Sequence, residues 1–249
     1  MPTLLIWICL VLVTAFHASS RGRKALMDAW PAYFFALPLA VRMWAFIQGL
    51  GAPADAPVYH FAVVLQQLAM LTFAGLLVVL FAIRSRSNGR RASRAQAMVA
   101  LLGTFIVYGI VLLPPQSDMP PAALLTSAAL ILVGTAFASW SLATLGRCFG
   151  IFPEVRGLVV RGPYRLVRHP VYLGEIVAQL GILMLRPHPA TLVLLLSFVA
   201  LQYWRTTFEE AALTAAFSDD YTLYRAKVPR LIPASKWFTR IVLAGRATA

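Results

Sequence analysis

Residues 161–174 read Arg-Gly-Pro-Tyr-Arg-Leu-Val-Arg-His-Pro-Val-Tyr-Leu-Gly, a dense run of cations, aromatic rings and backbone-special residues in a chain otherwise close to hydrocarbon. Polar groups at membrane depth are costly and persist mainly where they line a cavity or bind something, so the run marks a chemical site. Its partner is Glu209-Glu210, adjacent acids at the end of an apolar stretch in a chain with nine acidic residues. Pro170 lacks an N–H and biases His169 toward extended backbone, which predicts polar groups left free for a ligand and a helix that begins at once. The first-turn N–H groups of that helix have no intrahelical partner and suit a carboxylate. Tyr172 offers an aromatic wall and Gly174 room for close backbone approach. Arg205 falls one turn before Glu209 on the same helix face and is the candidate for orienting a substrate. Plainer roles are open to each: arginines on headgroups, a snorkelling Arg205, and two exposed acids balancing Arg205 and Arg225. Asp219-Asp220 are expected in a water-facing loop. Tyr221 and Tyr224 either close the pocket or sit at headgroup level, and Glu175 complements the dipole at a helix start.

These residues need helices to hold them, and the composition says in what solvent. Of 249 residues 60% are hydrophobic and 12% charged, with a mean hydropathy of +0.75, more apolar surface than a soluble domain can bury. The chain is read as an all-α integral membrane protein. Apolar segments near 3–19, 30–50, 58–83, 95–113 and 122–145 each approach the roughly 17 to 25 residues that cross a bilayer as helix. Two shorter ones, 171–185 and 190–204, are joined by Arg186-Pro187-His188-Pro189, whose prolines force a reversal and make a helical hairpin. Seven segments are therefore expected, with 1–121 as N-terminal helices of unassigned role and 122–249 as the core that carries the chemistry.

A net charge of +13 is read first as orientation. The links 20–29, 84–94, 146–168 and 204–249 hold 20 of the 22 Lys and Arg residues, while 51–57 and 114–121 hold none. The positive-inside rule then puts the N-terminus outside and the C-terminus in the cytoplasm, as expected for a multi-pass protein of the cell membrane. Nucleic acid is not expected as a partner, because Arg84 to Arg94 contains no aromatic residue to stack on bases. Cys9 and Cys148 are far apart and suggest neither a disulfide framework nor a metal cluster, so no metal is expected.

The order of the later pieces carries a resemblance. Gly162-Pro163-Tyr164-Arg165, then Arg168-His169-Pro170-x-Tyr172-x-Gly174, then Glu209-Glu210, then Tyr221-x-x-Tyr224 and Val228-Pro229-Arg230-Leu231-Ile232-Pro233 resemble the isoprenylcysteine carboxyl methyltransferase family and its bacterial relatives. The likeness covers roughly residues 140–235 and extends to phospholipid N-methyltransferases. It implies methyl transfer from S-adenosylmethionine at the membrane–cytosol interface, without a Rossmann domain, to a lipophilic acceptor such as an isoprenylcysteine-like carboxylate. It implies cofactor contacts at His169, Pro170, Tyr172, Leu173, Gly174, Glu209 and Glu210, with Tyr221 added for the pocket and Arg205 placed at the acceptor. No Gly-x-Gly-x-x-Gly follows a strand here, which agrees with a cofactor held among helix ends. Sterol-type membrane reductases, which bind a nicotinamide dinucleotide, resemble the same half and are the competing enzyme class. A membrane scaffold or small-solute transporter is the competing non-enzyme.

Overall fold

The computed structural model describes residues 57–85, 92–113 and 119–233, with eight further positions between Phe35 and Ile47. The expected span at 3–19, most of that at 30–50, and residues 234–249 lie outside the described residues. Every regular element among the described residues is helical. Helix α1 is Pro57–Ile83, α2 is Arg94–Phe105 continued by a 3-10 stretch Ile106–Leu112, α3 is Pro121–Leu145, α4 is Pro170–Leu185 and α5 is Pro189–Lys227.

The starts of these helices are legible locally. Ser93 accepts from the Gln96 amide while the Gln96 side chain accepts from the Ser93 amide, so two otherwise unpaired N–H groups are satisfied before α2. Proline opens α3, α4 and α5, where its missing N–H removes nothing the helix would use. Before α5 the His188 ring also accepts from the Ala190 amide. Gly146, with φ 55°, ends α3 in a conformation that a side chain would disfavour.

Among the described residues three helices are long and apolar enough to cross a membrane: Val63–Ile83, Pro121–Cys148 and Pro189–Lys227. Their outward faces carry large apolar side chains, with Val133 62% and Leu196 60% exposed, as a lipid-facing surface requires. Seven full spans are not what the described residues show. The 16 residues of α4 rise about 24 Å, short of a hydrocarbon layer of about 30 Å. The second hairpin arm, by contrast, does not stop near 204. It runs 39 residues to Lys227, with one break at Ser218, whose φ of 31° lies in the region that favours glycine. Asp219 and Asp220 are thus exposed on a helix after that break rather than in a loop.

What aligns the hairpin is its contact with α3. A Cβ on Gly134 would sit 2.5 Å from the Ala178 nitrogen and 2.6 Å from the Gly174 oxygen, and one on Gly174 would sit 2.7 Å from the Ala138 nitrogen. Farther along, Gly181 meets Ile131, and its carbonyl accepts a 2.8 Å hydrogen bond from Ser127. In lipid there is little hydrophobic drive between helices, so backbones that touch through small residues supply the attraction by dispersion and polar contact. A second cluster, Phe35, Leu80, Phe81, Ala100, Leu142, Phe149 and Ile151, packs the C-terminal ends of α1 and α3 with α2 and the loop after α3.

Gly134→Val should therefore force α3 from α4 and lower the melting temperature in detergent, a loss of at least about 1–3 kcal/mol. Gly75→Ala, where a Cβ meets nothing within 4 Å, serves as the control. Equal melting of the two variants would show that the helices pack otherwise.

Candidate functional site

The two polar stretches singled out in the sequence meet. The turn Gly162–Arg165 delivers the chain to His169, which stands just before α4, and α5 carries Glu209 and Glu210 back to it. Gly162, with φ 57°, packs against the Thr144 side chain, so the turn is fitted to the end of α3.

The adjacent acids divide. Glu210, with a side chain only 4% exposed, accepts from Arg168 Nε at 2.9 Å, from His169 Nε2 at 3.1 Å and from Arg230 at 3.1 and 2.8 Å. The same Arg168 donates to the carbonyls of Val228 and Arg225. The amides of Arg168 and His169 donate to the carbonyls of Pro229 and Arg230 at 2.8 and 3.1 Å. The extended backbone at His169 is thus not left free for a ligand, as Pro170 suggested; the segment after α5 occupies it. Tyr224 completes the closure by donating 2.6 Å to the Tyr164 carbonyl.

Glu209 looks the other way. Its Oε1 accepts from the Tyr172 hydroxyl at 2.5 Å and from Arg205 Nε at 3.1 Å, and its Oε2 lies 3.6 Å from His169 Nδ1. Arg205 also donates to the Ile151 carbonyl at 2.7 Å and to Thr104 at 3.3 Å, with its guanidinium 5.1 Å from the centre of the Tyr172 ring. His169 stacks on the same ring, centroids 5.8 Å apart. Burial alone would lower the His169 pKa, but hydrogen bonds and charge from Glu209 and Glu210 outweigh it and hold the pKa above the ordinary 6.5.

These groups open onto a cavity of about 530 Å³ bounded by α1 to α5 and the loop after α3. Such a volume lies within the range of sites for small ligands, roughly 300–1,000 Å³. His169, Tyr172, Arg205, Glu209 and Tyr221 are on its wall; Pro170, Leu173, Gly174 and Glu210 are not. The close approach that Gly174 permits is therefore that of α3. Tyr221, 1% exposed, has a buried hydroxyl without a hydrogen-bond partner among the described residues, which leaves a donor for something in the cavity.

Several participants were not found from sequence. Glu175 is no dipole cap: it sits in the second turn of α4, on the cavity wall, and one carboxylate oxygen accepts 2.9 Å from Gln202. Spacing held a clue, because 172, 175 and 179 share one face of α4 and 202, 205 and 209 one face of α5. Arg230 stood within the Val228–Pro233 motif without an assigned partner, whereas Thr104 and the Ile151 carbonyl had no such signal, since only folding brings them near.

Residues 122–220 match the sequence pattern of the phospholipid methyltransferase family. A relative in Schizosaccharomyces pombe, protein-S-isoprenylcysteine O-methyltransferase, is 44% identical over 78 residues, which are 30% of this chain and 33% of that protein. The matched stretch is about a third of that relative's length.

Glu210→Gln should leave Arg168 and Arg230 without a counter-charge, costing about 3–5 kcal/mol, and should expose the 225–230 segment to trypsin in detergent. An undiminished melting temperature with unchanged cleavage would contradict the clasp. A histidine whose pKa is raised on folding stabilises fully below its unfolded pKa, about 6.5, and the contribution is lost as pH rises through the folded value. Thermal melting should accordingly decline with rising pH above about 6.5, and decline less in His169→Gln. Parallel pH profiles for both proteins would remove His169 as the titrating group.

Proposed function

We propose, from the match of residues 122–220 to the phospholipid methyltransferase family and the partial likeness to an isoprenylcysteine O-methyltransferase, that the protein transfers methyl groups from S-adenosylmethionine to a lipophilic carboxylic acid at the membrane–cytosol interface. The observation that carries this reading is the convergence of His169, Tyr172, Arg205 and Glu209 at one end of a cavity that continues between apolar helices. A polar donor can enter where the charged residues are, and an apolar acceptor can enter along the helices.

The residues fit such a cofactor. Glu209 presents a carboxylate to hydroxyl or amino groups, Tyr221 has a free buried hydroxyl, and Tyr172 with His169 forms a stacked wall. When bound, the cofactor supplies a methyl group already activated on a sulfonium. The protein then has little acid or base chemistry to perform, and positioning supplies most of the acceleration. Arg205 is suited to hold the acceptor. Three of its five N–H donors are committed, to Glu209, Thr104 and Ile151, leaving two for a carboxylate oxygen while the other oxygen attacks. The Glu209, Thr104 and Ile151 contacts fix the guanidinium plane, and the apolar walls keep water from solvating the nucleophile.

Calorimetry with the purified chain should show binding of S-adenosylhomocysteine and none of a reduced nicotinamide dinucleotide; the opposite pattern would replace transfer with reduction. Arg205→Lys should keep that affinity within about threefold yet lose at least about 100-fold in methylation of a lipid extract by radiolabelled cofactor, because a point charge replaces a planar fork. Joint loss of binding and turnover would show that Arg205 shapes the cofactor pocket instead.

A further inference from the structure

The cavity has a second polar end, far from His169. Arg186, which follows the last turn of α4, lines it together with Gln66 and Gln67 of α1, all three partly buried. Ser127 of α3 bonds the Gly181 carbonyl; Arg186 lies five residues beyond Gly181, and Pro121 lies six before Ser127. At about 1.5 Å per residue the hairpin tip is thus level with the start of α3. The 25 residues of α3 rise about 37 Å, more than a hydrocarbon layer of about 30 Å, so its start and Arg186 reach the headgroup layer opposite His169. The Ser85 amide donates to the Arg147 carbonyl and Leu80 packs in one cluster with Leu142, so α1 and α3 run side by side in the same sense. Gln66 is therefore level with Ala128, about two turns deeper than Arg186. Among the described residues no carboxylate pairs with Arg186, and Glu175, the acid of α4 on the cavity wall, is eleven residues or about 16 Å away. A cation at that depth without a protein counter-charge calls for an anion from the bilayer.

We infer that this end of the cavity binds an anionic phospholipid, with the phosphate at Arg186 and one acyl chain inside the cavity. The order of groups along the wall follows the order of groups in such a lipid. A guanidinium stands at headgroup depth for the phosphate, and the Gln66 and Gln67 amides below it offer N–H donors to the ester carbonyls. Deeper still, Phe73, Ile131, Ala178 and Ile182 line the cavity with hydrocarbon for the chain. A phosphate at Arg186 is about 24 Å from His169, the rise of the 16 residues of α4, so this lipid is not the methyl acceptor. Its chain fills the apolar run from the far end and keeps water from reaching the charged end by that route.

Native mass spectrometry of the full chain, given equal amounts of phosphatidylglycerol and phosphatidylcholine with identical acyl chains, counts the lipid that stays bound. The parent should retain the anionic lipid at least about 10-fold over the zwitterionic one, whose own cation competes with Arg186 for the phosphate. Arg186→Gln should bring the ratio below about threefold, while Arg147→Gln, which removes an exposed cation at the other end, should leave it unchanged. A phosphatidylglycerol with a photoreactive group midway along one chain, used on the parent and so independent of any variant's folding, should label Ile131 or Ile182 rather than the outward Leu196. Equal retention of the two lipids by the parent, a ratio unmoved by Arg186→Gln, or labelling confined to Leu196 and its outward neighbours would overturn the site. Displacement of the lipid by inorganic phosphate at equal concentration would make this a site for free anions and overturn the lipid assignment.

Discussion

A carboxylate enclosed by three cationic side chains sets the shape of the membrane-edge region. Glu210 has no reason to be buried at 4% exposure unless Arg168, His169 and Arg230 converge on it, and the buried Arg168 guanidinium in turn depends on that anion. The three come from either side of the hairpin, before α4 and after α5. Their joint demand for one anion therefore holds the start of α4 against the segment that leaves α5. With the amides of Arg168 and His169 already paired to Pro229 and Arg230, the turn before α4 is shut by backbone as well as by charge.

That closure gives the neighbouring acid its freedom. Consecutive helical residues point about 100° apart. With Glu210 fixed toward the clasp, Glu209 is directed to Tyr172 and Arg205 on the cavity side. One dipeptide thus joins a structural ion cluster to a ligand-facing carboxylate. The raised pKa of His169 follows from standing between the two, since both carboxylates favour its charged ring against the penalty of burial.

The depth of the cavity has a different origin. Helices α3 and α4 touch through Gly134, Gly174 and Gly181, so they pack as a tight pair, and the remaining volume opens toward α1, α2 and α5. The polar groups in that volume lie along matching faces of α4 and α5, with Tyr172 opposite Glu209 and Glu175 opposite Gln202. Antiparallel helices in a hairpin produce this register because both present every third or fourth residue to the same side.

How much of this was readable in the chain depends on the range of the interaction. The apolar stretches from Pro57 onward, the prolines at helix starts, the His169–Glu209–Glu210 association and the Arg205–Glu209 pair follow from local spacing or from the ordered motifs, and they stand in the folded chain. Local spacing carried the helix as far as the acidic pair, but it could not tell that α5 continues past Glu210 to Lys227, because Ser218, Asp219 and Asp220 read as a loop until their tertiary setting is in place. Nor could it separate the roles of two adjacent acids, or show that Gly174 serves packing while Glu175 faces a cavity. Residue type and spacing constrain what a side chain can bond to within a turn or two of helix. Which cation, carbonyl or glycine it meets across 40 or 100 positions is decided when the helices dock, as Glu210 with Arg168 and Arg205 with Thr104 show.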